Sequence, residues 1–134
     1  MRGPDQADEA GPPVYAVRFA EVLQDEIDQE YARLAGINGV DVAESWDRGL
    51  LEAIRSLATY PERCVVATED QHFQRARPGP PLRVLIYRRT RSSPAWRILF
   101  SVYEADSLDS RTVRVRHVWH GAQAPITEWP AEDE

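Results

Sequence analysis

A chain of 134 residues with one cysteine and a formal charge of −6 is the size of one domain, long enough to bury a core without disulfides or a metal, and its single Cys64 excludes an internal disulfide. No apolar run approaches the roughly 18 residues that a membrane helix needs, and one unpaired Cys without a secretory signal fits a soluble protein of the reducing cytoplasm. The charge is unevenly spread: residues 1–70 carry a net −9, residues 71–127 a net +7 and residues 128–134 four acids, and all sixteen basic residues are Arg.

Residues 1–13, rich in Gly, Pro and acids, read as a disordered N-terminal tail. Residues 124–134 read as an acidic C-terminal tail in which Trp129 is the one candidate for docking. The domain between them is expected over residues 14–123. It opens with a strand, because Tyr15, Val17 and Phe19 alternate. Leu23, Ile27, Tyr31 and Leu34 then recur at helical spacing, and Gly36-Ile37-Asn38-Gly39 closes that helix with residues that accept a left-handed backbone. A second helix follows on the stripe Ala43, Trp46, Leu50, Ile54 and Leu57. Asp41 and Glu44 have the spacing of a capping box, and Gly49 implies a close approach to the first helix. Pro61 ends the run. Cys64 reads as a small apolar filler. Residues 62–81 are expected to be a long loop, and loops of this length usually carry function or motion; His72 there has no second metal-spaced ligand.

Three strands complete the domain. Leu82 to Arg88 is the first. In Ala95 to Tyr103, Trp96, Ile98, Phe100 and Val102 share one face. In Thr112 to Trp119, Val113, Val115, His117 and Trp119 alternate against Arg114, Arg116 and Val118. Short polar connections predict antiparallel hairpins. The order β-α-α-β-β-β is therefore α+β, an antiparallel sheet with an N-terminal helical hairpin on one face.

Four phrases in that order resemble the RelE/ParE superfamily of toxins from type II toxin–antitoxin systems. Tyr15-Ala-Val-Arg-Phe19 is similar to the family's opening strand. Gly49 to Cys64 (GLLEAIRSLATYPERC) resembles the second-helix ending of plasmid-stabilisation proteins. Trp96-Arg-Ile-Leu-Phe100 and Val115-Arg-His-Val-Trp-His-Gly-Ala122 resemble its later strands. The resemblance implies a growth-arresting toxin neutralised by a cognate antitoxin. It also implies one of two targets: DNA gyrase for ParE-like members, or mRNA on the ribosome for RelE-like endoribonucleases. A non-toxic relic that only binds a partner protein is a third reading.

The two targets call for different chemistry. Cleavage by attack of a ribose 2′-OH needs a proton acceptor, cations for the developing phosphorane and an acid for the leaving oxygen. His120, Arg97 and Arg116 are the candidates. Arg83, Tyr87, Arg97, Arg114 and Arg116 form the candidate surface for a partner or nucleic acid, with Tyr87 and Tyr103 able to stack on a base. His120 falls in phase with Arg114 and Arg116, and His117 with the apolar positions. An Arg at every second position is equally an ordinary way to keep a strand solvated. Gln123 stands where relatives carry a basic residue after His-Gly-Ala, which weighs against the nuclease and toward gyrase poisoning. No nucleotide-binding loop, HExxH or CxxC occurs, so neither metal nor cofactor is expected.

Overall fold

The computed structural model describes residues 14–104 and 111–121. Strand β1 (Ala16–Phe19) leads into helices α1 (Leu23–Asn38) and α2 (Val40–Arg55), a short helix α3 (Asp70–Ala76) follows, and strands β2 (Leu82–Arg88), β3 (Ala95–Tyr103) and β4 (Thr112–His120) complete the order. The class is α+β, with the α1–α2 hairpin laid on one face of a four-stranded sheet. Leu23, Ile27 and Leu34 of α1 and Ala43, Trp46, Leu50 and Ile54 of α2 are all buried. They meet Trp96, Ile98, Phe100 and Val102 of β3 and Val113 and Val115 of β4 in one core. Each large side chain buried there contributes about 1.5–3 kcal/mol, which offsets the entropy lost in ordering the hairpin. The hairpin reverses at Gly39, whose φ of 98° is a conformation only glycine takes without a Cβ clash.

Several expectations are corrected. The sheet is mixed: in the order β1-β4-β3-β2, β1 runs parallel to β4, from Ala16 opposite Thr112 to Phe19 opposite Val115. The first strand pairs with the last, and hairpin rules reach only neighbours in sequence. No side chain caps α2, which starts at Val40 directly from Gly39; the expected capping box is absent. Gly49 makes room for β2, not for α1: a Cβ there would lie 2.2 Å from the Tyr87 hydroxyl. That hydroxyl occupies the gap and donates to the Trp46 carbonyl at 2.9 Å. Helix α2 stops at Arg55 and tightens into a 3₁₀ turn over Ser56–Ala58, so the chain has left helical geometry before Pro61.

The expected long loop is largely structured. A 3₁₀ turn covers Pro61–Arg63, Val66 bridges Arg83, and α3 folds against the sheet. Phe73 and Ala67 join Leu82 and Leu99 in a second, smaller core on the face opposite the hairpin. That face is therefore covered in part and not left open to solvent. Cys64 is buried in the main core, as a filler would be. The expected tails over residues 1–13 and 124–134 lie outside the described residues.

Candidate functional site

Strand alternation decides which face each candidate residue takes, and one irregularity resets it. Leu99 pairs with His117 and Phe100 with Val115, so Arg116 is an extra residue in β4 with no partner in β3. A bulge of this kind reverses the phase of everything beyond it. Val113 and Val115 before the bulge, and Val118 and His120 after it, lie on the hairpin side. Arg114, Arg116, His117 and Trp119 lie on the α3 side. The expected phase, with His120 beside Arg114 and Arg116 and His117 among the valines, is overturned for this reason.

The three candidate catalytic residues are consequently not brought together. His120 sits edge-on to Trp96, ring centroids 5.0 Å apart, on the hairpin side. Arg97 and Arg116 are on the other side of the sheet, and each is engaged there. Arg116 is fully buried. Its Nε donates to Ser101 Oγ at 3.2 Å, its Nη2 to the Tyr103 hydroxyl at 2.6 Å, and its guanidinium lies 4.9 Å from the Phe73 ring centroid. Burial of an Arg is tolerated only with donors satisfied in this way. Arg97 forms a bidentate pair with Glu69, Nη2 to Oε1 at 2.6 Å and Nη1 to Oε2. That guanidinium, aided by backbone and Thr68 hydrogen bonds, holds the Glu69 carboxyl below the usual carboxylate range against the opposing effect of burial.

The partner-surface candidates divide in the same way. Arg83 pairs with Phe100 and so lies on the hairpin side, where its Nη1 donates to the Cys64 carbonyl at 2.7 Å. Tyr87 is buried beneath α2 and has no face with which to stack on a base. Tyr103 accepts from Arg116. Arg114 is half-buried beside exposed Arg18 of β1, its register partner.

Sequence reasoning missed Glu26. Beyond Phe19, β1 no longer covers the edge of β4, and the Glu26 carboxylate of α1 takes its place. It accepts from the Val118 amide at 3.0 Å and the Trp119 indole at 3.1 Å, and meets His117 Nδ1 at 2.7 Å. His117 in turn stacks on Trp119 at 4.6 Å. No spacing announces such a residue, because the partners are about ninety positions away in the chain. At the far end of the sheet Tyr15 donates to Glu62 and Glu104 at 3.2 Å each. Burial, then those carboxylates, push its phenol up to about 12.

A chain of the chromosomal ParDE TA system from P. aeruginosa matches this structure with a TM-score of 0.55 at 10 % identity, over 80 % of this chain and 96 % of that one. The fold is one already seen in a toxin–antitoxin system. No family model matches the sequence, and no curated protein does. Among the described residues no helix is long and apolar enough to cross a membrane, and no three His, Cys, Asp or Glu side chains are placed to hold a metal ion.

Proposed function

We propose that the chain is the toxin of a type II toxin–antitoxin pair of RelE/ParE type, spanning residues 14–123, and that it arrests growth in the cytoplasm by binding a macromolecular target. DNA gyrase is the target favoured over mRNA on the ribosome. The shared fold supports the toxin reading. One observation carries the choice between binding and cleavage: the bulge at Arg116 puts His120 on one side of the sheet and Arg97 and Arg116, both already engaged, on the other. General acid–base cleavage needs its acid, base and cations around one phosphate.

The cognate antitoxin is an acidic protein whose segment docks where Arg18 and Arg114 lie side by side at the β1–β4 edge. Opposite potentials steer such an encounter and fix its register. The test is induction of the chain alone in cells, and again with the product of a short adjacent gene. Growth arrest with DNA-break signalling, relieved by the second product, is the expected result; ribosome-dependent mRNA cuts would replace this reading with the endoribonuclease, and no arrest with the relic. For the docking site, Arg18→Gln with Arg114→Gln should weaken antitoxin binding and flatten its salt dependence.

A further inference from the structure

On the α3 side of the sheet the guanidinium groups gather. Arg18 of β1 stands opposite Arg114 of β4, and Arg114 stands opposite Ser101 of β3. Ser101 accepts from buried Arg116, which also reaches the Tyr103 hydroxyl and the Phe73 ring. Beside them Arg77, just past α3, helps to line a crevice of about 300 Å³ with Phe73, Ala76, Pro78, Pro80 and Tyr103. Arg18 is exposed, and Arg77 and Arg114 are half-buried, so solvent reaches all three. The neighbouring carboxylates are committed to other groups: Glu69 to Arg97, and Glu26 to Val118, Trp119 and His117. Cations gathered beside an apolar wall repel one another more strongly than in open water, and an anionic segment laid across them relieves that repulsion.

The chain itself supplies such a segment within reach. The described residues end at Gly121, whose amide donates to the Ala95 carbonyl at 2.8 Å. Residues 122–134 follow, and they carry Glu128, Glu132, Asp133 and Glu134 with no basic residue. Arg114 lies back along β4 from Gly121 by about 23 Å, at about 3.3 Å per residue. If residues 122–125 are spent on reversing direction, residues 126–134 still extend about 30 Å. That carries the acids past Arg114 toward Arg77. The other group of arginines, Arg88, Arg89 and Arg91 at the β2–β3 turn, is a poorer match. Arg88 and Arg89 point to opposite faces by strand alternation, so these cations do not converge.

We propose that residues 126–134 lie across this patch as an internal ligand, their carboxylates on Arg18, Arg114 and Arg77 and Trp129 against Ala76, Pro78 and Tyr103. An acidic partner that docks at Arg18 and Arg114 then has to displace the segment first. The contact is internal to the chain and does not rest on the toxin reading.

The experiment places a nitroxide at position 131 of the ¹⁵N-labelled full chain, using Ala131→Cys with Cys64→Ala so that a single thiol reacts. The broadening of each amide signal then reports how near the spin label comes. Broadening is expected at Arg18, Arg77, Tyr103 and Arg114, and not at Asp28 and Glu44 on the exposed side of the hairpin. It should fall at least about twofold in 1 M salt, where the screening length is about 3 Å. The same fall is expected when Glu128→Gln, Glu132→Gln, Asp133→Asn and Glu134→Gln are combined. Arg77→Gln with Arg114→Gln should reduce the broadening at Arg18 and Tyr103 in the same way, and the neutralised segment carries the test should that variant fold poorly. Absence of broadening on the α3 side would overturn the proposal. So would even broadening over both faces of the sheet, broadening confined to the β2–β3 turn, or broadening that survives neutralisation of the four acids.

Discussion

Replacing Glu69 with Gln tests whether Arg97 is a structural residue. Glu69 is 5 % exposed and meets Arg97 through both oxygens. Breaking a buried pair by removing one charge costs about 3–5 kcal/mol. Arg97 keeps a side-chain exposure of 23 %, and the Gln oxygen still accepts one hydrogen bond, so about 2–3 kcal/mol is expected at pH 7. For a domain of this size that lowers Tm by roughly 6–12 °C. The pH dependence has a definite sign. Arg97 depresses the Glu69 pKa in the folded state, so the pair's contribution is complete above the unfolded value near 4.3 and fades as pH falls through the lower folded value. Urea denaturation of both proteins at several pH values reads this directly. The stability difference should be constant from pH 7 to about 5 and shrink steadily below it. A difference that stays flat down to pH 3, or is absent at pH 7, would refute the pairing and return Arg97 to the candidates for binding phosphate.

Other outcomes follow from the same contacts. Gly49→Ala should lose about 1–3 kcal/mol by thermal denaturation, since its Cβ collides with the Tyr87 hydroxyl; the loss should be smaller in a Tyr87→Phe background. Glu26→Ala should cost about 2–3 kcal/mol by leaving buried donors of β4 without their acceptor, and should speed hydrogen exchange at the Val118 amide. Spectroscopic titration should find the phenol of Tyr15 ionising at about 12. Its raised value stabilises the fold fully below the unfolded value near 10, and this contribution is lost as pH rises through 12.

Much of the architecture was legible because it is periodic. The stripe Leu23, Ile27, Leu34 and the stripe Ala43, Trp46, Leu50, Ile54 bury as their spacing requires, and the alternation of β3 separates Trp96 and Ile98 from Arg97 and Leu99. What escaped was not periodic. Helix α3 buries only Phe73, so it has no stripe to read. The pairing of β1 with β4 joins residues far apart in the chain. The bulge leaves no mark in the alternation of Val113, Val115, His117 and Trp119, which continues past it as if the strand were regular. That single extra residue accounts for most of the misplaced site: His117 and His120 exchange faces because of it. Arg83 was misplaced for a different reason, since its face is fixed by pairing with Phe100 and no neighbour in sequence reveals that register.

The proposal at stake is that the protein acts by binding its target and not by cleaving RNA. Mapping mRNA 5′ ends genome-wide after induction of the wild-type chain and of His120→Ala tests it most directly. The account predicts growth arrest by both proteins, with no cleavage sites that depend on His120. Ribosome-dependent cuts that disappear in the variant, together with the arrest, would contradict it.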